Sequence, residues 1–307
     1  MISVIILSYN TREITLKCLE FLYLSRGAEF EVIVVDNAST DGSAEAVAKA
    51  YPGVKLIKSK ENLGFARGNN LGMKEAKGDL ILLLNSDCFV FEDTLVKGVA
   101  KMGEAKADVL GCQLLNPDGT LQPSWGYFPT LPRVLMLMTF VDNFPIIRDV
   151  VPSIHVRSEV RYQTAQAVDW VMGAFGLIKR EVWEKIGGFD EKYFMYGEEM
   201  EWMYRMKQAG YKIFYDPAVR AVHVGGASTN SAAKMFISEM RGYRYWYKKH
   251  NPAWQQKMLG WVLVAGTGYK AAAWSILGKI LGKPDWGTAY TATFNEIKSE
   301  VFGRSGK

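Results

Sequence analysis

Ile2-Ser3-Val4-Ile5-Ile6-Leu7 is a short apolar run that gives way to polar residues. Such a run, bounded by turn residues, is typical of a strand buried on both faces of a parallel sheet. Helical stretches at 12–24 and 64–77 alternate with further runs of this kind, which predicts a doubly wound α/β sheet. Ligands of such sheets bind at the carboxyl ends of the strands. The other predicted strands of the first 115 residues are 31–36, 54–58, 79–84 and 108–114.

The second half of the chain begins with a turn and ends in a helical tail. Asn116-Pro117-Asp118-Gly119 is a strong turn signal, and residues 121–166 follow it without a regular period. Within them, the apolar patch 131–140 fits a core helix, with an acceptor-site wall or a membrane contact as the alternative. We predict strands at 168–178, 212–215 and 218–224, helices at 180–186 and 198–208, and helical structure from Ser231 onward.

The composition is that of a folded protein in a reducing compartment. Hydrophobic residues make up 49% of the 307 residues and charged residues 22%, which excludes an intrinsically disordered chain. Cys18, Cys88 and Cys112 lie far apart and fit no metal-ligand spacing, so we expect buried free thiols rather than a disulfide or a catalytic thiol. No signal-peptide pattern precedes the first strand, which suits a cytoplasmic protein.

The positive charge is concentrated in the tail. From Lys234 onward there are twelve Lys and Arg against four Asp and Glu, together with five of the nine Trp. Basic and aromatic residues in this mixture favour an anionic membrane surface over nucleic acid, because no RNA- or DNA-binding motif accompanies them. Residues 259–281 are long and apolar enough to consider as a span, but Lys270 near the middle would be costly there. We favour helices in or on the membrane interface; a true span and a soluble helical pair are the alternatives.

Polar side chains stand where several predicted strands end. Asp36 is placed to accept hydrogen bonds from a base or a ribose, and Asn37 follows it. Asp87, two residues after Asn85, is placed to bind a magnesium or manganese ion that bridges phosphates. His223 precedes a Gly pair that would let a ligand approach closely. Taken singly, each is better explained as a cap or a structural residue.

An acidic box opens the predicted helix 198–208. Helical geometry places Glu198 and Glu201 on one side, with Arg205 one turn beyond Glu201, so that pair is interpreted as structural. Glu199 points elsewhere and is available as a base. A second polar loop, 61–70, also opens a helix, and Arg67 within it is placed to meet a phosphate.

As an ordered series these segments resemble the family 2 glycosyltransferases with the GT-A fold, notably the bacterial rhamnosyltransferase-like branch. The resemblance covers roughly residues 1–250, and its strength lies in the order of the motifs rather than in any one of them. The matching segments include Ser3 to Asn10, Val35 to Gly42, Asn62 to Asn70, Leu84 to Asp87, Gly173-Ala174, Gly187 to Asp190, Phe194 to Glu199 and His223 to Gly226.

The resemblance implies an inverting transfer of a sugar, with rhamnose favoured, from a nucleotide-diphospho-sugar to a hydroxyl of a glycan or lipid-linked glycan. The implied donor is dTDP-rhamnose first and a UDP-sugar next, and the implied cofactor is a divalent cation, Mg²⁺ or Mn²⁺. By the same match, residues 1–230 form the catalytic domain, with a nucleotide-sugar half at about 1–115 and an acceptor half at about 116–230. Residues 231–307 form a membrane-associating region at the inner face of the bacterial membrane.

The resemblance also implies roles for individual residues. Glu199 would be the general base, Asp87 and His223 would hold the cation, and Asp36 would hold the base of the nucleotide. The remaining donor-site residues would be Ser8, Asn10, Asn37, Arg67 and Asn85, and those flanking the sugars Trp170, Gly173 and Ala174.

Two departures from the family pattern leave alternatives open. Asn85 stands where the metal motif often has an acid, and Glu199 stands where the base is often Asp. Asn85 is the support for a degenerate, non-catalytic membrane scaffold that binds nucleotide sugars. A nucleotidyltransferase is disfavoured, because the loop at 7–12 contains no Gly for a phosphate-binding turn.

Overall fold

The structure is a computed structural model that describes residues 1–141, 144–226, 231–282 and 284–303. The chain forms two compact units. The first comprises Met1–Gly126, His155–Phe194 and Glu198–Ser228, and the second comprises Tyr127–Ile154, Met195–Gly197 and Thr229–Lys307. The segment that begins at Tyr127 thus groups with the C-terminal helices. The predicted domain boundary at residue 230 lies outside the described residues.

The first unit is built on a mixed sheet with helices around it. Its helices are α1 (Arg12–Tyr23), α2 (Ser43–Ala50), α3 (Gly64–Met73), α4 (Thr94–Glu104), α7 (Arg180–Ile186) and α8 (Glu198–Gln208). The strands are β1 (Ile2–Ser8), β2 (Phe30–Asp36), β3 (Lys55–Lys58), β4 (Leu80–Asn85), β5 (Cys88–Val90), β6 (Val109–Leu115), β7 (Leu121–Gln122), β8 (Trp125–Gly126), β9 (Gln166–Ala167), β10 (Trp170–Val171), β11 (Phe175–Lys179) and β12 (Ile213–His223).

The strand order in the described residues is β3-β2-β1-β4-β11-β6-β12-β5, with β7 beside β6 and β9 beside β12. Strands β3, β2, β1 and β4 are parallel, β11 is antiparallel to both of its neighbours, and β12 is parallel to β6. The carboxyl ends of β1, β2 and β4 therefore meet at one edge, with Ser8 opposite Asp36 and Leu7 opposite Asn85. The predicted α/β mixed sheet is confirmed.

Alternation along β1 explains why helices cover both faces of the sheet. Val4 and Ile6 join the buried cluster that contains Cys18 of α1. Ile5 points the other way, to α3, where a Cβ added at Gly72 would lie 2.5 Å from Cγ2 of Ile5. Glycine in α3 thus allows a close approach of helix to strand. All three cysteines are buried free thiols, as predicted.

Two strand predictions were wrong in detail. Residues 168–178 form two strands rather than one, because β10 pairs with β8 in a separate small sheet while β11 pairs with β4 and β6. The two predicted strands 212–215 and 218–224 form the single strand β12 (Ile213–His223), whose register shifts between Asp216 and Arg220. Pro217 lies at this irregularity, where its missing N–H costs no ladder hydrogen bond.

The second unit is helical. In it, α5 buries Val134, Leu137 and Met138, and a Cβ added at Gly266 of α10 would lie 2.3 Å from Cβ of Met138, so the core-helix interpretation of 131–140 is confirmed. Lys270 is buried, with its ammonium 4.7 Å from the ring centre of Phe140. None of the helices within the described residues has the length and hydropathy of a membrane span. The helices are α5 (Leu131–Thr139), α6 (Pro145–Val150), α9 (Ala232–His250), α10 (Ala253–Ile280) and α11 (Pro284–Phe302).

Candidate active site

Asn85, Asp87 and His223 form a cluster at the carboxyl end of β4. The antiparallel pairing of β5 with β12 sets Cys88 opposite His223, which brings His223 beside Asp87. Nε2 of His223 lies 3.2 Å from Oδ1 of Asp87, with only 10% and 8% of the two side chains exposed. Nδ2 of Asn85 lies 3.4 Å from the same Nε2. Sequence motifs 136 residues apart thus form one site because the strand register joins them.

The Asp87–His223 pair fits one divalent cation. Two ligands at right angles, each about 2.1 Å from a magnesium ion, lie about 3.0 Å apart, close to the 3.2 Å between Oδ1 and Nε2. The described residues contain no group of three or more His, Cys, Asp or Glu placed to hold a metal. Such a two-ligand site suits a cation that takes its remaining ligands from phosphate and water, as Mg²⁺ usually does.

Gln122 is a site residue that the sequence analysis missed. Its Oε1 lies 2.6 Å from Nδ1 of His223, on the side of the ring away from Asp87. The predicted turn at 116–119, confirmed by the 2.9 Å hydrogen bond from the Gly119 N–H to the Asn116 carbonyl, folds β7 back along β6. That turn was the available signal, but the sequence did not show which residue after it would meet His223.

Asp36 offers an acceptor at the end of β2. Its side chain is 4% exposed, and Oδ2 accepts a hydrogen bond of 3.2 Å from the Ser39 N–H. Oδ1 is buried and has no hydrogen-bond partner among the described residues. Since buried polar atoms are nearly always paired, this oxygen fits the N–H of a bound base.

Asn10 and Asn37 join the loops that surround Asp36. Asn10 has φ +51°, and its Oδ1 accepts a hydrogen bond of 2.8 Å from the Thr40 N–H. Asn37 accepts a hydrogen bond of 2.8 Å from the Leu63 N–H and donates one of 3.0 Å to Oδ1 of Asn62. Both amides hold one loop against another, so their contribution is to shape this end of the sheet.

Ser8 and Arg67 have different surroundings. The Ser8 hydroxyl is 1% exposed and shares hydrogen bonds of 3.2 and 3.0 Å with the hydroxyls of Thr11 and Thr15, so it supports the loop from within. Arg67, near the start of α3, is 45% exposed and lies 3.4 Å from Glu61 and 3.9 Å from Glu191. These exposed pairs are weak, so the guanidinium remains available to an anion.

Of the residues predicted to flank the sugars, Ala174 contacts the end of β4. The carbonyl of Ala174 accepts a hydrogen bond of 3.1 Å from the Asn85 N–H. A Cβ added at Gly173 would lie 2.9 Å from the ring of Phe65, which explains the glycine. Trp170 is 3% exposed, so it packs inside the unit.

Glu199 lies in the first turn of α8, on a different element from the Asp87–His223 pair. Nε1 of Trp202 donates a hydrogen bond of 2.7 Å to the carbonyl of Gly187, which fixes α8 against the turn that follows α7. Asn70 of α3 holds the same turn through hydrogen bonds of 2.8 and 2.9 Å to the N–H and carbonyl of Phe189. The helix that carries Glu199 is therefore tied to the helix that carries Arg67.

The other glutamates of the acidic box are structural. Glu201 is fully buried and lies 2.9 Å from Nε of Arg205, which confirms the predicted pair. Glu198 is 3% exposed, and Oε2 has no hydrogen-bond partner among the described residues. Burial, reinforced by the neighbouring Glu199, raises the pKa of Glu198 well above its ordinary value. Burial thus favours the protonated form of Glu198, whereas Glu199 is only half-buried.

The two glycines that follow His223 both have an unusual backbone conformation. The Gly pair after His223 was expected to allow close approach of a ligand. Gly225 and Gly226 both have positive φ, +73° and +74°, and an added Cβ at Gly226 would meet nothing within 4 Å. The backbone conformation of the turn therefore explains the two glycines.

Comparison with known proteins gives consistent matches. The model of "Glycosyl transferase family 2" matches residues 3–196. The N-acetylglucosaminyl-diphospho-decaprenol L-rhamnosyltransferase of Mycobacterium tuberculosis is 27% identical over 279 residues, covering 86% of this chain and 89% of the relative. The rhamnosyltransferase WbbL of Escherichia coli K12 is 27% identical over 232 residues, covering 73% and 83%.

Solved structures show the same fold at lower identity. The mannosyltransferase PcManGT of Pyrobaculum calidifontis, solved with GDP-Man and Mn²⁺, is 18% identical with a TM-score of 0.60, covering 99% of this chain and 88% of the other. Residues 1–349 of S. aureus TarS, solved with UDP-GlcNAc, are 18% identical with a TM-score of 0.52, covering 99% and 93%. These similarities establish the architecture of the chain.

Proposed function

The chain belongs to glycosyltransferase family 2, and we propose that it is an inverting transferase that moves a sugar from a nucleotide-diphospho-sugar to a hydroxyl of a glycan or lipid-linked glycan. The observation that carries this proposal is the Asp87–His223 pair, buried at the carboxyl edge of the sheet and spaced for one divalent cation. Catalysis at such a site needs a cation beside the diphosphate and a base beside the acceptor.

The donor would lie along the carboxyl ends of β2 and β4. Oδ1 of Asp36 would accept a hydrogen bond from the base, and Arg67, at the start of α3, would face the diphosphate, which the helix N-terminus also favours. A cation held by Asp87 and His223 would stabilise the negative charge that develops on the leaving diphosphate. Asn85 would assist by hydrogen bonding to the site, so the Asp87 carboxylate would be the single acidic ligand that this motif gives to the cation.

Glu199 would act as the general base. The acceptor oxygen forms a bond to the anomeric carbon while the bond from that carbon to the diphosphate oxygen breaks on the opposite face. Glu199 takes the proton of the acceptor hydroxyl, and the products are a nucleoside diphosphate and a glycoside of inverted configuration. Glu198 would remain protonated beside it, because its burial disfavours a second charge.

The favoured donor sugar is rhamnose, carried as dTDP-rhamnose, with a UDP-sugar as the next choice. Two relatives that cover most of the chain are named rhamnosyltransferases, and the name of one of them describes a lipid-linked acceptor. The catalytic domain would be residues 1–230, with residues 231–307 placing it at the inner face of the membrane.

Exposed apolar side chains on α10 support that membrane contact. Trp254, Met258, Trp261, Ile276 and Ile280, here called the outer stripe, recur at helical spacing and are between 48% and 73% exposed. Lysines 257 and 279 are exposed on the same helix. A helix with large apolar side chains on one face and lysines beside them lies well on an anionic lipid surface.

The experiment that tests the proposed mechanism replaces Glu199 by Gln. We expect transfer to fall about 10²- to 10⁴-fold while donor affinity, measured by calorimetry, stays unchanged, because Gln keeps the shape but cannot accept the proton. Glu181→Gln, in the exposed first turn of α7, is the matched control. Full activity of Glu199→Gln would show that the base has been assigned to the wrong residue.

The alternative of a non-catalytic scaffold that binds nucleotide sugars predicts a different result for the wild-type protein. Because Asn85 removes one carboxylate from the metal motif, a degenerate protein would bind a nucleotide sugar without turning it over. Release of a nucleoside diphosphate by the wild type excludes this alternative.

A further inference from the structure

Gln122 contacts His223 in a way that the proposed reaction leaves unexplained. It ends β7, which pairs antiparallel with β6 so that Gln122 stands opposite Leu114. Strand β6 lies between β7 and β12. Beyond the end of β6, the Gln122 side chain therefore reaches His223 at the end of β12.

The orientation of the Gln122 amide follows from its neighbours. Nε2 lies 3.1 Å from the carbonyl oxygen of His223, which can only accept a hydrogen bond. Nε2 also lies 2.9 Å from Oδ1 of Asn116, whose own amide nitrogen faces the carbonyl of Leu121 at 3.4 Å. Both donors of the Gln122 amide are thus used, and Oε1 is directed to the imidazole.

This orientation sets the tautomer of His223. Oε1 of Gln122 can only accept, so Nδ1 of His223, at 2.6 Å, carries the proton. In the neutral ring the lone pair then lies on Nε2, where Nδ2 of Asn85, a donor, lies 3.4 Å away. Oδ1 of Asp87, at 3.2 Å from Nε2, can only accept, so this lone pair and Oδ1 face each other as two ligands for a cation rather than as a hydrogen bond. Metal ligation needs this lone pair, and a hydrogen bond from the other ring nitrogen fixes which nitrogen provides it.

We propose that Gln122 is a positioning residue: it holds His223 in the Nδ1–H tautomer, with Nε2 turned toward Asp87 to bind a divalent cation. This inference rests on the proposed function, in which Asp87 and His223 hold that cation. Removing the hydrogen-bond partner of a metal-binding histidine lowers metal affinity by about 10- to 100-fold. Gln122 touches neither the donor nor the acceptor in this assignment and acts through His223 alone.

The test compares Gln122→Leu with the wild type in two measurements on the full chain. Nitrogen-15 NMR of the histidine rings without metal reports the tautomer of His223, whose signal is identified by its loss in His223→Asn. Electron paramagnetic resonance titration with Mn²⁺ alone reports affinity. Gln113→Leu is the matched control, because Gln113 lies on β6 opposite Arg220 of β12.

In the neutral ring we expect the Nδ1–H tautomer in the wild type and in Gln113→Leu, and its loss in Gln122→Leu. The Mn²⁺ affinity of Gln122→Leu should fall about 10- to 100-fold. A Gln122→Leu protein with an unchanged tautomer, or with wild-type Mn²⁺ affinity, overturns the positioning role. Failure of the proposed cation site is separate, since it would appear as no Mn²⁺ binding by a wild type that still has the Nδ1–H tautomer.

Discussion

At the residue scale, two adjacent carboxyl groups differ in their surroundings. Glu198 is 3% exposed, whereas Glu199 is half-buried at the start of the same helix. Burial disfavours the charged form of Glu198, and the neighbouring Glu199 adds to this, so the pKa of Glu198 is raised. Environment rather than residue type therefore separates a structural carboxyl group from the proposed base.

The raised pKa of Glu198 predicts a pH-dependent loss of stability. Above pH about 4.3, the unfolded chain releases this proton while the folded chain keeps it, so the free energy of unfolding falls with pH until the folded-state pKa is passed. In Glu198→Gln this contribution is absent. Between pH 5 and 8 we expect its free energy of unfolding to fall less than that of the wild type, by about 1.4 kcal/mol per pH unit between the two pKa values.

Urea denaturation at the two pH values measures this difference, with the exposed Glu181→Gln as control. Equal pH dependence of the wild type and Glu198→Gln would mean that Glu198 is ionised in the folded protein at little cost.

At the element scale, the outer stripe of α10 carries the membrane proposal. The ion pairs of Arg241 with Glu296 and Glu300, each at 2.6 Å, tie α9 to α11. From Lys234 onward, twelve Lys and Arg stand against four Asp and Glu. Lys257 and Lys279 stay exposed on α10. The net charge of this region toward a surface is therefore positive, which complements anionic lipid.

Replacing Trp254 and Trp261 together by Ser should release the chain from vesicles. Burying about 100 Å² of each ring is worth about 2.5 kcal/mol at about 25 cal/mol per Å², and each 1.4 kcal/mol is about tenfold in affinity. With both rings removed, we expect a partition on the order of 10³-fold weaker onto phosphatidylglycerol–phosphatidylcholine vesicles in a sedimentation assay. Val160→Ser, also exposed but in the first unit, should bind as the wild type does. Unchanged sedimentation of the double variant with the vesicles would show that the outer stripe of α10 is not the membrane contact.

The strands show which parts of the fold could be predicted from the sequence and which could not. Strands β1, β2 and β4 were predictable because each is a short apolar run followed by polar residues. The division of 168–178 into β10 and β11 was not, since it depends on which strands each piece pairs with. Gln122 could not be predicted for the same reason. Its partner, His223, is 101 residues away, and the two meet only because β6 lies between β7 and β12.

At the scale of the whole molecule, the fold brings separate motifs to one edge of the sheet. The parallel strands β1, β2 and β4 align Ser8, Asp36 and Asn85, and the pairing of β5 with β12 adds His223. Helix α8 carries Glu199 and is tied to α3 through the turn that contains Gly187 and Phe189. The first unit thus contains every residue to which the proposed reaction assigns a role.

The most direct test of the central claim is donor binding and turnover by the purified full chain. Calorimetry and nucleoside diphosphate release would be measured with dTDP-rhamnose, UDP-sugars and GDP-sugars, with and without Mg²⁺ or Mn²⁺, for the wild type and Asp87→Asn. The account predicts metal-dependent binding and turnover of one donor class by the wild type, with dTDP-rhamnose first, and loss of the metal dependence in Asp87→Asn. Failure of the wild type to bind any of these donors, with or without metal, would contradict it.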